Sequence, residues 1–160
     1  MASWRDVTRE EPEFAGAVRA RFDAHKHKTL ATLRKDGSPR ISGVEATFDG
    51  DELWLGMMPG SMKALDLRRD PRLALHSATL DPEVSDGDAK LSGRAEEVDD
   101  PASMEAFAAA TGGQAPPPGS FHLFRVDVEE VVLTRVGDPP DHLVIETWQD
   151  GKAFRRVERR

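Results

Sequence analysis

The stretch Leu53-Trp54-Leu55-Gly56-Met57-Met58-Pro59-Gly60-Ser61-Met62-Lys63-Ala64-Leu65-Asp66-Leu67-Arg68-Arg69-Asp70-Pro71 decides the fold. It reads as a buried strand, a Pro-Gly turn and a short amphipathic helix stopped by a proline. Ser61 stands where a helix N-cap belongs, and Lys63 falls in the first turn. A cation is unusual there, because the helix dipole favours negative charge. A hydroxyl and an ammonium beside a free helix N-terminus make an anion site, and phosphate is the usual anion in one. A purely structural reading is also open: a capped helix whose lysine extends to water.

Three strand signals surround and lead into this stretch. Residues 29–33 are followed by the turn 34–39, residues 40–48 by Asp49-Gly50-Asp51, and residues 52–57 by the Pro-Gly turn. Both of the first two turns contain Asp-Gly, which supplies the positive φ of tight turns, so the three form an antiparallel meander. Ser42-Gly43 lies inside the middle strand. Glycine weakens a strand and marks a bulge or the close approach of another group. Before the meander, Phe14, Val18 and Phe22 recur at helical spacing, predicting a helix over 11–24 that ends in the positive run His25-Lys26-His27-Lys28. His25 and His27, two residues apart, do not share a helix face and are read as C-terminal charge rather than a metal pair.

After the short helix, 72–77 reads as a fourth strand, 81–88 as a loop and 89–98 as a fifth strand. Asp99-Asp100-Pro101 opens a helix over 101–110. Residues 111–120, with Gly112-Gly113 and three prolines, form a loop. Residues 121–126 and 130–135 read as two strands, and 142–148 as the last before the turn 149–152. His76 ends the fourth strand, where it lines a substrate or, on the plainer reading, packs as a structural histidine.

The tally is about seven short strands with two or three helices. That pattern is mainly β, of the α+β kind: a six- to seven-stranded antiparallel barrel with helices over its mouth and flank. Such a small barrel fills itself with side chains, so a large ligand has to sit outside it, and a cleft at a dimer interface would serve. At 160 residues, without repeats or an interior linker, the chain forms one domain over 1–160 with its core at about 11–151. It has no cysteine, which removes disulfides, thiolate metal sites and a Cys nucleophile. No metal site is expected. The polar N-terminus carries no signal-peptide pattern, and no apolar run approaches the ~18 residues of a membrane span, so a cytoplasmic protein is expected. With 22 Lys and Arg against 29 Asp and Glu, the net charge is −7, a poor match to nucleic acid. The basic end 155–160 reads as a solvated terminus, or as a holder of an anionic ligand against a neighbouring subunit.

Taken in order, these features resemble the split-barrel family of pyridoxamine 5′-phosphate oxidase and its flavin- or deazaflavin-dependent relatives. The matching features are the N-terminal helix, the strand 29–33, a second strand opening with Arg40, the apolar third strand, Gly60-Ser61-Met62-Lys63-Ala64 opening a helix that ends Arg69-Asp70-Pro71-Arg72, and Trp148-Gln149-Asp150-Gly151. The resemblance implies a homodimer with FMN or F420 at its interface. It implies that Arg40 and Lys63 pair with the cofactor phosphate and that Ser61 donates to it. The backbone of Ser42, Gly43, Val44 and Glu45 would line the ring, Met57 would lie near ring or phosphate arm, and Trp148 would act as a lid from the partner subunit. For Trp148, core packing is the competing reading.

Two departures reduce the positive charge of the site. Glu45 stands where the oxidase has a lysine towards its substrate phosphate, and Met62 where the family often has an arginine. A partly buried Glu45 would repel a phosphorylated substrate by on the order of several kcal/mol. The expected activity is therefore FMN- or F420-dependent hydride transfer with a small conjugated substrate, not pyridoxamine phosphate oxidation. The absence of a triad, P-loop, dinucleotide fingerprint or zinc motif does not count against it, since the cofactor carries the chemistry. The alternatives are a non-catalytic binding protein for flavin, haem or another planar ligand, and a structural dimer module. Lys63 would serve the phosphate of either FMN or F420.

Overall fold

Fifteen residues in one strand hold the molecule together. The computed structural model describes residues 1–83 and 85–160; Val84, within the loop expected over 81–88, lies outside them. Among the described residues the strands are β1 (His27–Leu33), β2 (Pro39–Phe48), β3 (Leu53–Met57), β4 (Arg72–His76), β5 (Asp88–Glu97), β6 (His122–Val136), β7 (Leu143–Gln149) and β8 (Arg155–Arg159). The helices are α1 (Trp4–Glu10), α2 (Pro12–Asp23), α3 (Met62–Arg69) and α4 (Pro101–Thr111). All strand pairs are antiparallel. The order β3-β2-β1-β4-β5-β6 closes on itself because β6 also pairs with β3, which makes a six-stranded barrel. β7 and β8 continue the sheet beyond it.

β6 does both jobs. Its start, His122–Arg125, pairs with β3, and its end, Glu130–Val136, pairs with β7. The sequence predicted two strands here, interrupted at Asp127-Val128-Glu129. The strand is instead continuous, and the polar residues mark a bulge, where the register against β5 shifts between Ser92 and Gly93. Gly93 is required at this point: a Cβ there would lie 2.0 Å from the Asp127 carbonyl oxygen.

The barrel interior takes Leu30, Val44, Leu55, Leu75, Leu91, Phe124 and Val126. α1 and α2 pack against it, with Phe48 meeting Trp4 (ring centroids 4.7 Å apart) and Phe22 (5.5 Å). α1 was not expected from the polar N-terminus. Its start is fixed by Asp6, whose carboxylate accepts from the Ser3 backbone N–H at 2.8 Å, while Trp4 and Val7 turn one face inward. α2 ends at Asp23, so His27 and Lys28 belong to β1 rather than to a helix C-terminus. Lys28 is buried, its ammonium donating to the Lys26 carbonyl at 2.9 Å, and that burial lowers its pKa. β8 is a further correction: the basic end pairs with β7 as a strand, although every residue of it is exposed. Among the described residues no helix is long and apolar enough to cross a membrane.

Candidate functional site

β2 alternates. Arg40, Ser42, Val44, Ala46 and Phe48 turn towards the interior, while Ile41, Gly43 and Glu45 face outward. α3 packs against β1 and β5 and reaches this strand through side-chain hydrogen bonds, and three of its side chains set its position. Asp66, essentially buried, accepts from Thr32 Oγ1 of β1 (2.8 Å), Arg40 Nε of β2 (2.7 Å) and its own neighbour Arg69 (3.0 Å). Burial alone would push the Asp66 carboxyl up; the three donors outweigh it and hold the group below the usual carboxylate range. Arg69 also donates to the Leu33 carbonyl (2.7 Å), and Arg68 pairs with Glu97 of β5. Nothing in the sequence marked Asp66 for this role; an aspartate inside an amphipathic helix, facing its apolar side, is the signal that was available.

The N-terminus of α3 is thereby held beside β2. Lys63 reaches across and donates from Nζ to the Gly43 carbonyl at 3.1 Å. Ser61 caps by position only. Its backbone is extended, its side chain makes no capping bond, and its Oγ is buried without a hydrogen-bond partner. A buried hydroxyl with no partner is costly, and it lies beside the amide N–H groups that a helix leaves free in its first turn. Gly43 adds open space: a Cβ built there meets nothing within 4 Å. The three residues singled out for anion and ring contact, Ser61, Lys63 and Gly43, are thus brought together.

The turn before the helix is fixed from β6. The Gly60 N–H donates to His122 Nε2 at 3.0 Å, and Gly60 itself has φ +70°. Nε2 therefore carries the lone pair, and Nδ1–H donates to Glu97 Oε1 at 2.7 Å. Arg68, first among its partners, and then His122 hold the Glu97 carboxyl below its ordinary value despite its burial. His122 was not singled out by sequence reasoning; its position on β6, opposite Met57, only follows from the barrel pairing.

The remaining predicted residues are more dispersed. Arg40 spends its Nε edge on Asp66, so an anion would have to be met by its terminal nitrogens. Val44 and Met57 are core residues, and Ser42 turns inward, so these offer backbone rather than side chain to the outer face. Met62 is exposed. Glu45 is exposed rather than partly buried, with its carboxylate 3.2 Å from Lys26 and 3.8 Å from His27, so the strong repulsion expected of a buried charge is not built in. Trp148 lies within the core of its own chain and donates from Nε1 to Glu10 Oε2 at 2.9 Å. In this chain the packing reading of Trp148 holds, and the lid reading has no side chain free to serve it. His76 sits half-buried with Nδ1 2.7 Å from the Ser77 carbonyl, a structural position.

A model of the pyridoxamine 5′-phosphate oxidase family matches residues 14–135. The chain belongs to the pyridoxamine 5′-phosphate oxidase family. Solved structures agree on the fold. A pyridoxamine 5′-phosphate oxidase-related, FMN-binding protein of Nostoc punctiforme superposes with a TM-score of 0.67 at 13% identity, over 94% of this chain and 96% of that one. PhzG of Burkholderia lata, in complex with tetrahydrophenazine-1-carboxylic acid, gives 0.63 at 17% identity over 96% and 91%. A protein of Listeria innocua assigned to the same oxidase gives 0.61 at 17% identity over 74% and 95%. At these identities the likeness is one of fold. No match is found among curated proteins. The family's split barrel is thus this chain's fold.

Proposed function

We propose that this member of the family is an FMN- or F420-dependent oxidoreductase that works as a homodimer with the cofactor between subunits. The observation that carries the reading is the buried, unpartnered Ser61 hydroxyl at the start of α3, next to the Lys63 ammonium on the Gly43 carbonyl. A phosphate monoester would give that hydroxyl an acceptor, Lys63 a counter-charge, and the first-turn amides an anion. The cofactor's ring would then lie along β2 over Gly43. When bound, the flavin or deazaflavin supplies hydride transfer with a small conjugated substrate. The chain's own part is to anchor the phosphate, to offer the open strand at Gly43, and to shield the ring from water with a second copy. Ile41, 74% exposed, and Met58, 78% exposed, flank the cradle, and exposed apolar side chains of this kind favour a partner surface.

A second reading is a binding protein for flavin, haem or another planar ligand without turnover. It is favoured by the scarcity of cations at the cradle: Arg40 is engaged by Asp66, and Met62 contributes no charge.

The deciding experiment titrates purified protein with FMN and, separately, F420, following fluorescence, with Lys63→Ala and Ser61→Ala as variants. Binding in the micromolar range or tighter, weakened at least about tenfold in Lys63→Ala, is expected. Absence of binding of both cofactors by a folded dimer would overturn the oxidoreductase reading. Binding without reoxidation by any conjugated acceptor would favour the second reading.

A further inference from the structure

The turn that presents Ser61 hangs on a titratable side chain. Gly60 donates its N–H to His122 Nε2 at 3.0 Å, and Ser61 donates its own N–H to the Met58 carbonyl at 3.1 Å. Gly60 has φ +70° and open space where a Cβ would stand, so it brings no side-chain packing to the turn. His122 is 9% exposed and reaches the turn from the start of β6.

An imidazole is the side chain whose charge ordinarily changes between about pH 5 and pH 8. Neutral, with its proton on Nδ1, His122 accepts from Gly60 and donates to Glu97 at the same time. Protonated, it has two N–H groups and no acceptor. Two donors then face each other where one bond stood, and one of them has to move. The Glu97 carboxylate accepts from Nδ1–H in either state. Protonation therefore breaks the bond to the turn and keeps the bond to β5.

There is room for the movement. A cavity of about 320 Å³ opens beside the ring, with Arg68, Asp99, Met104 and Phe121 in its walls. Among the described residues, three charged groups face the ring or this cavity. Glu97 of β5 favours the imidazolium, while Arg68 of α3 holds that same carboxylate at 2.9 Å and opposes it. Asp99, between β5 and α4, has no hydrogen bond or ion pair among the described residues, so it can accept from a ring that swings away from Gly60. The other neighbours are uncharged: Met57, which pairs with His122 in the β3–β6 ladder, Met104 of α4, and Phe121 and Phe124 on either side along the chain. The ring thus has a set of partners for each of its charge states, which makes it a two-state element.

We propose that His122 is a pH switch on the anion cradle: neutral, it fixes the turn that carries Ser61; protonated, it lets the turn go, and the cradle holds an anion less tightly. That the turn follows His122 does not rest on the oxidoreductase reading above; that the anion is a cofactor phosphate does. The effect is reciprocal. A bound anion, which needs the ordered turn, keeps His122 neutral, so binding releases a proton wherever His122 would otherwise be charged.

The test has two arms. In ligand-free wild-type protein labelled with ¹⁵N, the Gly60 amide and the His122 ring nitrogens are followed from about pH 8 to pH 5.5. The Gly60 signal is expected to move with the same midpoint as the His122 ring. In the second arm FMN is titrated across the same range into wild type and His122→Gln, whose amide can accept from Gly60 but does not titrate. A phosphate monoester gains a proton of its own near about pH 6, so the reading is the ratio of the two affinities. Wild type is expected to lose at least about fivefold relative to His122→Gln between pH 8 and pH 5.5. A Gly60 signal that does not follow His122, or a ratio that stays constant with pH, would each overturn the proposal. The first arm needs no variant, so it decides even where glutamine is not accommodated. A Gly60 signal that follows His122 in a protein that binds no FMN at any pH would leave the turn switch standing and the oxidoreductase reading fallen; FMN binding beside an unresponsive Gly60 would do the reverse.

Discussion

Asp66 in the middle of α3 accepts a hydrogen bond from Arg40 Nε on β2 at 2.7 Å, and both groups are largely withdrawn from water. This bond joins the helix that starts the cradle to the strand that floors it. It also changes the meaning of Arg40, which positions α3 through Asp66 before it can meet any anion. Removing one member of such a pair leaves the other charge buried and alone. Asp66→Ala is expected to lower stability by about 3–5 kcal/mol, read from urea unfolding midpoints. Lys63→Ala, whose ammonium is exposed, is expected to change it by less than about 0.5 kcal/mol.

The same carboxylate sets an acid dependence. Its folded pKa is held below the unfolded value of about 3.9, so the folded state binds fewer protons than the unfolded chain. Its stabilisation is complete above the unfolded pKa and is lost as pH falls through the folded one. Glu97, lowered by Arg68 and His122, acts in the same direction. Wild-type stability is expected to fall steeply below about pH 4, and Asp66→Asn, already weaker at neutral pH, to show a shallower fall. Urea titrations between about pH 3 and pH 6 measure both slopes.

What the sequence carried, and what it did not, divides along a physical line. Local signals were sufficient wherever a segment folds on its own pattern: the Asp-Gly turns gave the meander, and the strand, turn and helix from Leu53 to Pro71 lie where expected. Ser61, Lys63 and Gly43 could be assembled because two adjacent hairpins and one helix hold them. Non-local facts were missed. The unbroken β6 depends on β5, β3 and β7 all being in place, and its polar bulge looks like a break when read alone. β8 is a strand because β7 offers an edge, not because its own residues are buried. Asp66 and His122 gain their roles, Arg69 apart, from partners that are 25 to 62 residues away in the chain.

Trp148 gives a direct check on packing against ligand contact. Its indole N–H meets Glu10, joining β7 to the end of α1. Trp148→Phe keeps most of the apolar volume and loses that bond. Stability is expected to drop by about 1–2 kcal/mol, with FMN affinity unchanged within about twofold. A large loss of FMN affinity at full stability would return the residue to the cofactor.

His122 tests the turn that presents Ser61. Truncation to alanine removes the acceptor of the Gly60 N–H and one donor to Glu97 together. His122→Ala is expected to cost about 2 kcal/mol and to weaken FMN binding several-fold, because the turn leading into α3 loses its fixed point. Calorimetric unfolding and FMN titration of the same preparation separate the two effects.

Gly43 separates fold from cofactor most cleanly. It faces outward on β2, its φ is not in the positive range, and a Cβ there meets nothing within 4 Å. A branched side chain suits a strand better than glycine does, and at an exposed position it strains nothing. Gly43→Val is therefore expected to keep or raise stability by up to about 1 kcal/mol. The added methyl groups would stand in the space over the strand, beside the Lys63 ammonium, where the ring of a flat cofactor has to lie. FMN and F420 affinity are expected to fall at least about 100-fold, since a close-packed approach cannot absorb two methyl groups. Thermal unfolding and cofactor titration of this one variant give opposite signs if β2 floors the cofactor site. Unchanged affinity in a stable Gly43→Val protein would mean that the ring lies elsewhere, and that glycine at this point serves only the strand.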